Sequence, residues 1–162
     1  MQNLVPIAEQ IAARLIERRQ TVAVAESSTG GLICAALLAV PGASAYFLGG
    51  ALVYTRDARR ILMDIPDETM KGIRSASEPY AKLLASRIRN RLSSDWGLSE
   101  TGATGPTGNR YGDAAGHSCI GVAGRSDPLA MTLETGSADR LANMHTFAST
   151  ALNFFLQTLS RQ

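Results

Sequence analysis

Cysteine is scarce in this chain. Cys34 and Cys119 are the only two, far apart in apolar stretches and without a CxxC or Cys/His spacing around them. That argues against a disulfide framework and a zinc site, and both read as core fillers in a reducing compartment. Long apolar runs are missing too. None reaches the ~18 residues that a bilayer-spanning helix needs. The opening MQNLVPIAEQ has neither the basic nor the apolar region of a secretory signal. The expected setting is therefore the cytoplasm, with no membrane partner. An excess of one charge is also absent: 16 Lys/Arg against 14 Asp/Glu leave +2, which gives no reason to expect nucleic acid as a partner. Nine of those 16 basic residues lie between Arg56 and Arg91. Most recur at helical spacing with acids nearby, the pattern of a solvated helix face; a nucleic-acid or partner-binding patch is the alternative. Finally, there is no GxGxxG and no Walker lysine, so neither dinucleotide nor ATP binding is supported.

What is present is ordinary globular composition, with 45% hydrophobic and 19% charged residues over 162 positions. A chain this long hides roughly 70% of its unfolded surface and can build one core. Leu4, Ile7, Ile11 and Leu15 step by three and four, so an amphipathic helix opens the chain and ends near Gln20. Thr21–Ala25 is a short strand leading through Ser-Ser-Thr-Gly-Gly into an apolar helix over Leu32–Val40, stopped by Pro41-Gly42. A second strand is predicted over Tyr46–Tyr54, where Gly49-Gly50 suggests a bulge or a close backbone approach. Short helices follow around Asp57–Met63 and Asp67–Lys71. Ser77 caps a helix that starts Glu78-Pro79 and runs to about Ser94. Residues 102–124 hold seven of the fifteen glycines, implying a long ordered or functional loop. Strands at Ser118–Ala123 and Ala130–Glu134 and a helix through Leu141, Met144, Ala148, Ala151, Phe155 and Leu159 complete an α/β domain without repeats or internal linkers.

Two constellations could carry chemistry. In Glu26-Ser27-Ser28-Thr29-Gly30-Gly31, hydroxyls and glycines stand between a strand and a helix, where N–H groups and the positive helix end would suit a phosphate, a carboxylate or an oxyanion. A capped helix with a glycine turn explains the same residues. In Thr101-Gly102-Ala103-Thr104-Gly105-Pro106-Thr107-Gly108, small residues let backbone approach a ligand and hydroxyls can hydrogen-bond it, or the stretch is a plain glycine-rich turn.

In order, AESSTGG, PGASAYFLGG, VYTRDAR, SASE, TGATGPTG and TGSADR resemble the C-terminal domain of the CinA family, the nicotinamide mononucleotide deamidases also called PncC, from Leu4 to Leu159. The resemblance implies a three-layer α/β/α sandwich with a mixed, mainly parallel sheet of about five strands. It implies one stand-alone domain over residues 1–162, tending to form a homo-oligomer. The implied reaction is hydrolysis of the carboxamide of nicotinamide mononucleotide to nicotinic acid mononucleotide and ammonia, for pyridine nucleotide salvage. No cofactor or metal is implied. By the motifs, Ser27 is the nucleophile, Tyr54 orients or donates a proton, Thr101 completes the catalytic set, and Arg140 holds a 5′-phosphate. Ser28, Thr29, Gly30, Gly31, Gly102 and Gly105 line the substrate. Pairing with Asp139 or with solvent is the alternative for Arg140.

The chain departs from the family pattern where it matters most. Arg59 stands at the motif lysine expected to activate the serine, and guanidinium stays protonated and accepts no proton. Arg56 replaces an asparagine, Ser28 a cysteine and Asn109 a glycine, while Met144 stands where a second arginine often follows. His117, and with less weight His145, Asp57 and Asp113, are substitute bases; Glu26 is expected to orient the turn or cap the helix. Two functions compete on this reading: an amidohydrolase impaired by Arg59, and a catalytically silent module that binds a nucleotide or another phosphorylated ligand. A structural or partner-binding role for the basic 56–91 region is the third.

Overall fold

Val22–Glu26 (β1) is buried along its whole length, with Val22 and Val24 facing one core and Ala23 and Ala25 facing another. A short apolar strand buried on both faces belongs at the centre of a sheet. In the computed structural model, which describes residues 1–161, β1 lies between Phe47–Leu52 (β2) and Trp96–Ala103 (β3) and pairs in parallel with both. His117–Ala123 (β4) and Leu129–Glu134 (β5) complete the order β2-β1-β3-β4-β5. β4 is antiparallel to both its neighbours, so four strands run one way and β4 alone opposes them. Val5–Arg18 (α1), Leu32–Leu38 (α2) and Arg140–Ser160 (α5) cover one face, while Arg56–Met63 (α3) and Glu78–Leu92 (α4) cover the other. The expected three-layer α/β/α sandwich is the observed one. No described helix is long and apolar enough to cross a membrane.

Local signals in the chain account for most of these elements. The buried stripe of α1 stops where Arg19 turns left-handed, and Ser77 accepts from Tyr80 N–H at the start of α4. The glycine pair in β2 does both things expected of it. The register against β1 slips between Val22 and Ala23, and a Cβ on Gly50 would stand 2.3 Å from Cys34 Sγ. The same period misses β3. Its sequence, WGLSETGA, carries buried Ser99, Glu100 and Thr101 where a central strand would be apolar, and so the stretch does not read as a strand. Tertiary partners make it one. A Cβ on Gly97 would lie 2.0 Å from Ala85 C=O, and one on Gly121 2.4 Å from Ala81 C=O, so two glycines let α4 rest directly on β3 and β4. The glycine-rich stretch is therefore divided: β3 ends at Ala103, a loop runs over 104–116, and β4 begins at His117.

Because β1, β2 and β3 are parallel, the loops after all three emerge at one end of the sheet. In α/β sheets that carboxyl end is where ligands bind.

Candidate active site

Two neighbouring cavities open there. The larger, about 360 Å³, is lined by Ser27 from the loop after β1, Tyr54 and Arg59 from the β2–α3 segment, Thr101 and Gly102 from β3, and Arg110 and Tyr111 from the glycine-rich loop. The smaller, about 250 Å³, is lined by Ser28, Tyr54, Gly102, Gly105, Asn109 and Arg140. Tyr54 belongs to both, and its hydroxyl accepts from Arg140 Nη2 at 3.4 Å. Arg140 spends its other nitrogen on Gly105 C=O, at 2.7 Å, rather than on Asp139. Residues far apart in the chain thus meet at one end: Ser27, Tyr54 and Thr101 share the larger cavity, and Arg140 stands next door. Thr29, Gly30 and Gly31 line neither.

The reason lies beneath the loop. Thr29 is fully buried, and its hydroxyl reaches Glu26 Oε2 at 2.6 Å and Glu100 Oε2 at 3.1 Å. Glu26 also accepts from Ile33 and Cys34 N–H, the first donors of α2. The helix end expected to meet an oxyanion is therefore already occupied by a carboxylate. Ser27 sits at the end of β1, ahead of the turn through Gly30 and Gly31 rather than on the helix. Those glycines make the turn with φ of +66° and +99°, which L side chains rarely adopt. Glu100, also fully buried, accepts from Ser27 N–H at 3.2 Å, Thr29 N–H at 3.0 Å, and the Ser28 and Ser118 hydroxyls. Burial pushes its carboxyl up, and the bonds from Ser28, Thr29 and Ser27 pull it back in part. Burial, and then the Glu26 carboxylate beside it, push the Cys34 thiol up, away from the thiolate that reacts.

Sequence reasoning missed Glu100 altogether, and the only signal was its place directly before Thr101-Gly102. Arg110 and Tyr111 were missed as well. The Asn109 side chain accepts from Tyr111 and Asp113 N–H, closing the loop that carries them, and Arg74 clamps Asp113. The Arg74 and Arg110 guanidinium carbons lie 5.8 and 5.1 Å from the Tyr111 ring centroid.

Arg59 is 6% exposed, with its guanidinium bound to Asp67 and Nε donating to Ile65 C=O at 3.3 Å. Arg56 holds the other Asp67 oxygen. The substitute bases lie elsewhere. His117 is tied to Glu134 at 2.5 Å and Ala76 C=O at 2.9 Å, Asp113 is held by Arg74, and Asp57 pairs with Arg60 on the surface. His145 lines a separate depression beside residues 1–4. Met144 packs on the turn, its Cε 2.8 Å from where a Gly30 Cβ would be. Among the described residues no group of three His, Cys, Asp or Glu could hold a metal ion.

The family model of the CinA C-terminal domain matches residues 4–159. A CinA-like protein of Gloeobacter violaceus is 39% identical over 131 residues, covering 81% of this chain and 31% of that protein. For a CinA-like protein of Chlorobium limicola the values are 36% over 148 residues, 89% and 34%. The chain spans about a third of the length of these curated relatives. Among solved structures, a competence-damaged protein (CinA) superfamily protein from Klebsiella pneumoniae superposes with a TM-score of 0.92 at 23% identity, covering 98% of this chain and 99% of that one, a likeness of fold. The competence/damage inducible protein CihA from Agrobacterium tumefaciens superposes at 0.89 with 27% identity, covering 98% of this chain and 96% of that one.

Proposed function

Because the chain belongs to the CinA C-terminal domain family, we propose that it is an amidohydrolase domain for the carboxamide of nicotinamide mononucleotide, releasing ammonia and nicotinic acid mononucleotide, with catalysis at the motif serine impaired. One observation carries the reading: Ser27, Tyr54 and Thr101 share a cavity whose wall includes Arg56, Arg59 and Arg110, and Arg140 lines the cavity beside it. Small residues admit the ring and its amide, and the guanidinium groups supply the planar donors that bind a phosphate. The impairment follows from Arg59. A serine hydroxyl attacks once a neighbouring group takes its proton, and an arginine held by Asp67 and Ile65 C=O takes none.

Incubating the protein with nicotinamide mononucleotide and measuring ammonia tests the reading directly. The expected wild-type rate is at least ~10²-fold below that of a relative with the motif lysine, the usual contribution of a general base. Arg59→Lys should raise turnover, since lysine, unlike arginine, can lose a proton. No ammonia from either protein would end the amidohydrolase reading.

The absence of a base favours a second reading, binding without turnover. Among the described residues the Ser27 hydroxyl has no hydrogen-bond partner in the protein. Ammonia release separates the cases: on either reading nicotinamide mononucleotide binds more tightly than nicotinamide riboside in a calorimetric titration, and only hydrolysis releases ammonia.

A further inference from the structure

Four arginines line the two cavities, and three of them are already engaged by the protein. Arg56 and Arg59 share the two oxygens of Asp67, and Arg59 also donates to Ile65 C=O. Arg140, to which the family resemblance gives the phosphate, donates Nη1 to Gly105 C=O and Nη2 to the Tyr54 hydroxyl. Arg110 is different. Among the described residues it meets no carboxylate and no backbone carbonyl, and its one hydrogen bond runs from Nη2 to the Tyr111 hydroxyl at 3.0 Å. It is exposed and lines the same cavity as Ser27. A guanidinium so placed keeps N–H donors for an incoming anion.

The loop that carries Arg110 is tied on both sides of it. The Asn109 side chain accepts from Tyr111 N–H at 3.0 Å and Asp113 N–H at 3.1 Å and donates to Asp113 Oδ2 at 2.8 Å, while Arg74 holds both Asp113 oxygens. Glycine, the residue of the family pattern at position 109, has no side chain for any of these bonds. The Arg110 guanidinium carbon lies 5.1 Å from the Tyr111 ring centroid, a cation–π distance and a restraint that uses none of its N–H groups. A guanidinium restrained before binding loses less entropy when it meets its ligand. We infer that Arg110 is the phosphate anchor of this site and sets its preference for a phosphate monoester over the corresponding nucleoside, with Asn109 as its positioning residue. The identity of the rest of the ligand, nicotinamide mononucleotide, rests on the amidohydrolase reading; the chemistry of the anchor does not. No covalent bond changes at Arg110. Its N–H groups meet the phosphate oxygens, and that attachment holds the remainder of the ligand in the cavity that Ser27 lines.

Calorimetric titration with nicotinamide mononucleotide, ribose 5-phosphate and nicotinamide riboside tests the anchor, and the exposed position of Arg110 lets glutamine replace it without disturbing the core. Arg110→Gln should weaken both phosphate-bearing ligands by about 10- to 100-fold, the range of a hydrogen bond to a charged group, and leave the riboside unchanged. Arg110→Lys keeps the charge and loses the planar fork, so its affinities should fall between. Arg60→Gln removes the same charge from α3 outside both cavities, and should change each affinity by less than about twofold because an exposed charge is screened. Asn109→Gly should weaken the phosphate-bearing ligands by a smaller factor than Arg110→Gln and spare the riboside, which a general loosening of the fold would not do; wild-type affinities in Asn109→Gly would remove its positioning role. Undiminished binding of both phosphates by Arg110→Gln, an equal loss in Arg60→Gln, or no binding of either phosphate by the wild-type protein would each overturn the anchor. Ammonia keeps the two readings apart. Loss of ribose 5-phosphate binding in Arg110→Gln, with no ammonia from the wild type or from Arg59→Lys, retains the anchor and ends the amidohydrolase reading. Ammonia release with undiminished binding by Arg110→Gln does the reverse.

Discussion

A carboxylate sealed inside a sheet costs several kcal/mol unless hydrogen bonds replace its water. Glu100 has such bonds from two backbone N–H groups and the hydroxyls of Ser28, Thr29 and Ser118. Removing the acceptor leaves those donors orphaned under the Ser27–Gly31 turn. Glu100→Ala should therefore destabilise the protein by about 3 kcal/mol or more in urea unfolding, at 1–3 kcal/mol for each orphaned buried group; Glu100→Gln should lose clearly less. His117 gives a prediction in pH. Both ring nitrogens face acceptors, Glu134 and Ala76 C=O, so only the doubly protonated ring satisfies both. Burial opposes that charge, but the bonds to Glu134 and Ala76 with nearby Asp113 outweigh it, and the pKa is raised. A raised folded value means the contribution is full below the unfolded pKa and is lost as pH rises through the folded one. Unfolding free energy should fall as pH rises above the unfolded imidazole value of about 6.5, and His117→Gln should flatten that slope.

Helix α4 depends on the absence of side chains beneath it. Gly97 and Gly121 bring it within contact of the sheet backbone, with no space for a Cβ at either position. Gly97→Ala would drive a methyl into Ala85 C=O, a backbone atom that can give way only if α4 shifts. The expected loss is about 2 kcal/mol, within the usual overpacking range. By calorimetry that is a drop of roughly 4–8 °C in Tm for a chain of this size. The cap at the other end of the scale is local. Ser77→Ala frees Tyr80 N–H and should cost about 1 kcal/mol without moving α4 off the sheet.

Charge is nearly balanced over the whole molecule, at +2, yet Arg56, Arg59, Arg110 and Arg140 gather at the carboxyl end of the parallel strands. The chain crossings of the α/β topology make that local excess. A phosphate-bearing nucleotide at about a hundred times its Kd should add about 2.7 kcal/mol to stability, read as a rise in Tm. The same concentration of nicotinamide riboside should give a smaller rise, and added salt should shrink the difference by screening the exposed guanidinium groups.

The amino-acid sequence by itself determined what depends on near neighbours. The stripe of α1, the Ser77 cap, the glycine irregularity in β2 and the order of the elements other than β3 follow from side-chain period and from hydrogen bonds a few residues long. The family motifs were legible for the same reason, as runs of contiguous residues. Only the tertiary structure decided the rest. β3 is a strand because α4 and the neighbouring strands bury its polar residues with partners, and Glu100 meets Thr29 across 71 positions. Thr29 faces two carboxylates and not a cavity, and Arg59 is bound to the loop through Asp67 and Ile65. Whether a buried polar group is a fault or a device depends on which donors the fold brings to it, and those donors lie far along the chain.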